Sequence, residues 1–252
     1  MQENRVFTDE ELKELVRFEY DRIMECLKDE HMEKGSQLLK DLENRNTGIL
    51  VSCIDSIAIT LGFIQEKLGI GATEEVLRKC SSSDDIQKEC GGDNWYYQEH
   101  GPDEYMKSWE EEPRRSMFKN LVVEFAGSMR SFMGRGFVSA EEDDEKIIFT
   151  LDPCSAGGRM KRQGKYRPPY NWPVSGEPHP LSFGLPDFPV YCQYCAVFHS
   201  ILPIERSGAI WPVMLPPEKD EDPCTLLFYK DPKDIPEEYY TRVGKEKKWP
   251  KK

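Results

Sequence analysis

The sequence lacks an uninterrupted apolar run of membrane-spanning length. Its longest apolar stretch, residues 49–68, is broken by serine, threonine, aspartate, glutamine, glutamate and lysine. A transmembrane helix needs roughly 18 or more apolar residues with few charges, so we expect this stretch to form a buried helix. The start of the chain also lacks the apolar core of a signal peptide, because it is charged from Glu3 onward. These absences predict a soluble cytoplasmic protein.

Basic residues are also fewer than acidic residues. The chain has 34 lysines and arginines against 46 acidic residues, which gives a formal net charge of −12. A surface of that sign repels nucleic acids and anionic membranes, and no helix-turn-helix or zinc-finger spacing accompanies the cysteines. We therefore expect neither a nucleic-acid nor a membrane partner. The hydrophobic fraction of 38% in 252 residues is enough for one large or two modest domains.

Prolines are scarce in the first 135 residues, which contain two of the eighteen in the chain. This contrast predicts an α+β protein in two parts. Residues 1–135 would form a helical bundle, and residues 136–252 would form an antiparallel-sheet, loop-rich region that binds metal and contains a pocket. The helical part is also where we expect a homodimer to form.

Helical periodicity with start and stop signals marks the first part. Thr8 and Glu11 form a capping-box pattern before an amphipathic helix, and a short second helix follows around residue 40. A third helix over 48–68 is apolar on nearly every face and should end at Gly69. The polar segment 81–103 is predicted to be a long loop, and a further helix begins after Pro113.

Strand patterns mark the second part. Residues 136–139 and 146–151 predict a hairpin with an acidic turn between its strands. Two later strands are expected over 209–215 and 224–229.

Eight cysteines in a chain without an export signal are more often buried, metal-bound or catalytic than disulfide-paired. Three fall on helical patterns and are expected to be small buried hydrophobes, and one lies in the polar loop. These are Cys26, Cys53, Cys80 and Cys90. The other four lie in the last two-fifths of the chain: Cys154, Cys192, Cys195 and Cys224.

A zinc site is the leading interpretation of the C-terminal cysteines. The Cys192-x-x-Cys195 pair can bind one tetrahedral ion, and the glycine-containing turn after Cys154 should lower the pKa of that thiol. His179 lies between two prolines, which would hold its ring rigidly, so it completes a predicted Cys3His set. His199 competes with it, since it follows Cys195 by four residues on one helix face. If it is not a ligand, His199 is a core histidine or a catalytic acid–base group.

Three other functions of these cysteines were considered: an iron–sulfur cluster, a redox site and a phosphatase site. An iron–sulfur cluster would add Cys224 to the three other cysteines, although Cys224 also suits the buried start of a final strand. A thioredoxin-like redox site would need a βαβ unit, which the proline-rich surroundings do not supply. Four residues separate Cys154 from Arg159, whereas five separate the two in the phosphatase loop, so phosphatase activity is disfavoured.

A basic cluster follows Cys154 in this acidic protein. Arg159 and Arg162 are its predicted anion-binding residues, with aromatic residues interleaved downstream. The alternative is a solvated loop whose charges offset nearby acids.

The order of elements in the last 120 or so residues resembles the vinyl-reductase type of ligand-binding domain and the related thiazoline-carboxylate hydrolases. The resemblance rests on the strands over 209–215 and 224–229 and on the turn Glu221-Asp-Pro-Cys224. It implies a small-molecule pocket between sheet and helices with a cysteine-bound metal nearby. The basic, proline-rich insertion over 159–189 departs from the pattern, so no substrate carries over.

Two functional hypotheses follow, and a third is weaker. The first is a zinc-dependent enzyme, with hydrolysis the favoured reaction, acting on a small anionic aromatic or heterocyclic compound with His199 as catalyst. The second is a non-catalytic, zinc-stabilised small-molecule-binding or sensing module. The third is a helical interaction protein in which the cysteines are incidental.

Overall fold

The computed structural model describes residues 5–17, 24, 32–80 and 112–249. The predicted loop over 81–103, the first helix beyond residue 17, Cys26 and Cys90 lie outside these ranges. Within them the protein combines helices with an antiparallel sheet, which confirms the predicted α+β class.

The predicted capping box begins the first helix, α1 (Asp9–Val16). The Thr8 hydroxyl accepts the N–H of Glu11, and the Glu11 carboxylate accepts the N–H of Thr8. Both contacts satisfy amide donors that a helix start otherwise leaves unpaired. The Lys119 ammonium also donates to Glu11 at 2.6 Å, which ties α1 to a later helix.

The next helices differ from the prediction in number. Helix α2 (Met32–Leu68) is continuous where two helices were expected, and it ends as predicted before Gly69, whose φ of +86° is left-handed. Helix α3 (Ile70–Cys80) follows at once and was not predicted. Helix α4 (Glu112–Met133) matches the expected helix after Pro113.

Helix α2 buries one face in its apolar second half. Ile54, Ala58 and Leu61 are buried at helical spacing, whereas Ile57 is 48% exposed and Phe63 is 60% exposed. The prediction of burial on nearly every face is therefore wrong. By length and composition, Asn46–Leu68 is apolar enough to cross a membrane, with 22% of its window buried.

A four-stranded antiparallel sheet forms the centre of the second part, in the order β1-β2-β6-β5. The strands are β1 (Phe137–Glu142), β2 (Lys146–Leu151), β5 (Val213–Leu215) and β6 (Cys224–Tyr229). The hairpin and both later strands were predicted from the sequence. A small second pair joins β3 (Val174–Ser175) to β4 (Phe188–Pro189).

Three short helices lie between these strands, and a fourth follows the last strand. They are α5 (Gly157–Arg162), α6 (Gln193–Ala196), α7 (Leu202–Ser207) and α8 (Glu238–Thr241). One hydrophobic cluster runs through residues of both predicted parts of the chain.

Close contacts join α2 to the C-terminal half. A Cβ atom on Gly62 would lie 2.0 Å from Cγ of Pro173, so only glycine permits this approach. The side-chain amide of Gln193 donates to Gln65 at 2.8 Å. These contacts hold the second half of α2 against the loop before β3 and against α6.

Candidate functional site

A cavity of about 730 Å3 lies between helices α2, α3 and α4 and the C-terminal half. Its wall is mostly apolar and rich in aromatic rings, among them Phe125, Phe132, Phe183, Phe188 and Phe198. All four C-terminal cysteines line it, and so do Cys80 and His199. An apolar concavity with a few polar groups is the usual form of a small-molecule site.

The Cys154 sulfur lies in a cradle of hydrogen-bond donors. The chain leaves β2, turns at Pro153 and enters α5, which brings the N–H of Gly158 to 3.0 Å from Sγ. A hydrogen bond from the Cys224 thiol, followed by backbone N–H groups of the turn, lowers the pKa of Cys154 to about 6 despite burial. The turn lowers the pKa of this thiol as predicted, but the hydrogen bond from Cys224, which was not predicted, has the larger effect.

Cys224 is the proton-bearing partner of that thiolate. Leu151 pairs with Cys224 across β2 and β6, which places Cys224 beside the turn that holds Cys154. The hydrogen bond to Cys154 and burial raise the pKa of Cys224. The expectation that Cys224 begins a strand with a buried side chain is confirmed, and the same side chain reaches the cavity wall.

The Cys192 and Cys195 thiols stay protonated in the absence of a metal. Burial, and then the neighbouring thiols, raise the pKa of Cys192, and burial followed by Cys154 raises the pKa of Cys195 to about 12. Cys192 lies against Gly157, where an added Cβ would come within 2.1 Å of its sulfur.

The four sulfurs lie in one wall of the cavity, but they do not converge on a common point as metal ligands do. Among the residues that the structure describes, no three Cys, His, Asp or Glu side chains are arranged to hold an ion. Their mutual effects on pKa show that the thiols are near one another.

His199 lies in a π-helical turn, Val197–Ile201. Pro203 has no N–H to donate to the carbonyl of His199, and that carbonyl accepts instead from the N–H of Trp211 at 3.1 Å. Burial lowers the pKa of His199 to about 4, so its ring is neutral.

His179 lies elsewhere. Its Nδ1 accepts the N–H of Leu181 at 3.1 Å and caps the short helical turn Pro180–Ser182. His179 does not belong to the cavity wall.

Arg159 and Arg162 lie in ion pairs. Arg159 binds Asp55 of α2 and donates to the Ser155 carbonyl at 2.7 Å, and Arg162 binds Asp152. Neither arginine lines the cavity.

Lys161, between the two arginines, is the one lysine or arginine among the described residues that lines the cavity. Its ammonium donates to the Pro217 carbonyl at 3.3 Å. Three of the four residues over 159–162 are basic. Composition alone therefore did not indicate which of the three lines the cavity.

Cys80, the last residue of α3, also lines the cavity. The expectation that Cys53 and Cys80 are small buried hydrophobes is wrong, because both side chains are exposed. The spacing of Pro203 four residues after His199 was the available signal for the unusual turn.

No protein-family model, curated protein or solved structure matches this chain. An apolar, aromatic cavity whose wall also carries thiols, one ammonium and one neutral imidazole has the usual form of a small-molecule site.

Proposed function

We propose that this chain binds a small aromatic compound with one anionic group in the cavity, and a zinc ion through the thiols of the same wall. In this proposal residues 1–135 are a helical bundle that closes the cavity, and residues 136–252 supply the metal ligands and the sheet. The single observation that carries the proposal is the presence of four cysteines in the wall of one aromatic cavity.

The donor set favours a soft or borderline metal ion. Thiolates are the preferred ligands of zinc in four-coordinate sites, and the Cys192-x-x-Cys195 pair has the spacing of a zinc ligand pair. Backbone N–H donors to Sγ of Cys154 suit a metal thiolate, because neighbouring hydrogen bonds orient and tune such ligands. An iron–sulfur cluster uses the same four thiolates and is the second metal candidate.

Cys224 replaces His179 as the fourth proposed ligand. His179 already accepts a backbone hydrogen bond away from the cavity, whereas Cys224 is hydrogen-bonded to Cys154. A closed set of four thiolates is typical of structural zinc, which favours the small-molecule-binding or sensing module.

The enzymatic alternative has an observation of its own in its favour. His199 is a neutral imidazole in the cavity wall, and a neutral imidazole is a competent general base. In this version Cys224 stays outside the ligand set, and a zinc ion with an open position supplies Lewis acidity. The reaction class favoured is hydrolysis of a small aromatic or heterocyclic acid.

Metal analysis of the purified protein tests the zinc proposal. We expect about one zinc per chain in the wild type, retention in His179→Ala, and loss when Cys192 and Cys195 are both replaced by serine. Cys53→Ser is the matched control, because Cys53 is exposed on α2. A low metal content that the double replacement does not change would overturn the zinc proposal.

Calorimetric titration with 2-naphthoate tests the ligand class. We expect binding that Lys161→Met weakens by roughly tenfold or more, because a charged hydrogen bond contributes about 1.5–3 kcal/mol. Lys165→Met is the control, since Lys165 lies over the Tyr170 and Trp172 rings outside the cavity wall. Absence of naphthoate binding to the wild type would overturn the proposed ligand class.

A further inference from the structure

Helix α2 exposes an apolar face on the side opposite its buried stripe. Five large apolar side chains lie on it, each between 48% and 72% exposed: Ile49, Ile57, Ile59, Phe63 and Leu68. At about 100° per residue they occupy one half of the helix circumference. We call this half of the helix the outer face. A helix of a globular protein normally buries its apolar residues, so a second apolar stripe in solvent indicates a contact with another molecule.

The outer face has a ridge and a groove side by side. Ile59 and Phe63, four residues apart, form the ridge. Ser52, Ser56 and Thr60 are small, exposed and also spaced by four residues, and they form the groove. Helices pack when a ridge of one enters a groove of the other, and rows at this spacing give the commonest crossing. A two-fold pair needs both features on each copy, so the outer face is complementary to itself.

The hydroxyl groups in the groove do not oppose its burial. The Ser56 hydroxyl donates to the carbonyl of Ser52 at 2.9 Å, and the Thr60 hydroxyl donates to the carbonyl of Ser56 at 2.8 Å. Hydroxyl protons that are already bonded within the helix enter an apolar contact without losing a partner. The groove therefore accepts apolar side chains.

The outer face is also nearly free of charge in a strongly acidic protein. A net charge of −12 makes two copies repel each other. Between residues 46 and 65 the sole charged residue is Asp55, and it pairs with Arg159 of α5. The next charged residues, Glu66 and Lys67, pair with each other. Two copies that meet through this face bring no unpaired charge of residues 46–65 together.

The same composition disfavours a membrane as the occupant. Helices that lie on a membrane surface usually carry lysine and arginine beside their apolar face, and residues 46–65 contain neither. The inner side of α2 is packed in the protein core through Ile54, Ala58 and Leu61, which a spanning helix would have to give up.

The exposed apolar area suits a dimer. At roughly 150–200 Å2 for a fully exposed large apolar side chain, the five residues present roughly 450–600 Å2 per copy, the size of the largest patch on a typical monomer. Two copies would bury roughly 900–1,200 Å2 through these side chains, and the groove residues add to this. The total reaches the range of specific interfaces, which begins near about 1,200 Å2.

We propose that the outer face of α2 is the contact between two copies of this chain, with Ile59 and Phe63 of each copy in the groove of the other. Ser56, Ile57 and Thr60 belong to both this face and the cavity wall, so the second copy lies at the rim of the cavity. The inference rests neither on the proposed zinc site nor on the proposed ligand.

Sedimentation velocity of the full chain from about 1 to about 200 µM tests it. We expect the wild type to reach twice the 29.3 kDa of one chain within this range. The double replacement Ile59→Lys and Phe63→Lys puts like charges into both grooves and should weaken the dimer about 100-fold or more. Val138→Lys and Leu185→Lys are matched controls, because these side chains are 46% and 41% exposed away from α2. Each should leave the dimer dissociation constant within about twofold.

The outcomes decide between the two occupants. A wild type that stays monomeric up to about 200 µM, or a double variant that dimerises as tightly as the wild type, overturns the proposal. Circular dichroism checks that the variants fold. Should the double variant unfold, Ser52→Glu decides, since it blocks the groove from an exposed position, and wild-type dimer affinity there counts against the proposal. A monomeric wild type that floats with neutral phosphatidylcholine vesicles, an ability lost in Ser52→Glu, assigns the face to a membrane instead.

Discussion

The sulfur of Cys192 lies so close to the backbone of Gly157 that a methyl group at residue 157 would come within 2.1 Å of it. This contact brings the Cys-x-x-Cys segment onto the turn that holds Cys154. We expect Gly157→Ala to push the Cys192 sulfur aside and to weaken zinc binding about 10- to 100-fold, the range for changes beside metal ligands. Competition with a chromogenic zinc chelator measures the affinity. Gly176→Ala is the control, because a Cβ atom there meets nothing within 4 Å, and equal affinities in the two variants would contradict the prediction.

The Cys154 thiol should titrate near pH 6 in metal-free protein. The hydrogen bond from Cys224 and the N–H of Gly158 favour the thiolate, so its pKa is about 6 rather than its ordinary 9.0. Since the thiolate is the reactive form, alkylation of Cys154 by iodoacetamide should accelerate as pH rises through about 6 and then level off. Peptide mass spectrometry over pH 4–9 follows each cysteine separately, with exposed Cys53 as the reference.

Removal of the Cys224 thiol gives the complementary result. Cys224→Ala eliminates the largest contribution to the lowered pKa of Cys154, so the midpoint of its alkylation profile should move to higher pH. An unchanged midpoint would mean that the backbone donors alone stabilise the thiolate.

The Asp55–Arg159 ion pair should contribute to global stability. The two side chains are 25% and 13% exposed, so Arg159 would be left largely buried without its carboxylate. We expect Asp55→Asn to lower the free energy of unfolding by about 1–3 kcal/mol in urea denaturation. Glu66→Gln on the same helix is the control, because its pair with Lys67 is 68% and 54% exposed and should matter far less.

Glu142 anchors the N-terminal segment to the edge strand β1. Its side chain has no exposed surface, and it accepts the N–H of Phe7 at 2.8 Å and pairs with Lys230 at 2.9 Å. Glu142→Gln removes the buried carboxylate with which both Lys230 and Arg5 pair, so we expect a loss of about 3 kcal/mol. Glu141→Gln is the control, because Glu141 is exposed, and it should melt at the same temperature as the wild type. Equal melting temperatures for the two variants would contradict the prediction.

Local sequence signals predicted the local structure well. The Thr8–Glu11 capping box, the helix end at Gly69 and the hairpin with its acidic turn each depend on neighbouring residues, and all are present. Helix α3 was missed because Gly69 ends one helix and nothing in the pattern marked the immediate start of the next.

Long-range pairings account for what the sequence did not predict. Arg159 meets Asp55 across 104 positions, and Cys224 reaches Cys154 only through the register of β2 against β6. Such partners are selected by packing of whole elements, which a one-dimensional pattern does not encode. The Cys-x-x-Cys pair was recognisable from its spacing. The sequence did not reveal that Lys161, and not Arg159, lines the cavity.

The tight approach of Gly62 to Pro173 fixes how closely α2 packs against the proline-rich loop, at a point outside the cavity wall. Any side chain at residue 62 would act as a wedge between α2 and the proline-rich loop, since even a Cβ atom would come 2.0 Å from the proline ring. Such a wedge would alter the width of the cavity while leaving every wall residue unchanged. A substitution at residue 62 would therefore act on the cavity indirectly, through the seating of α2 against the proline-rich loop.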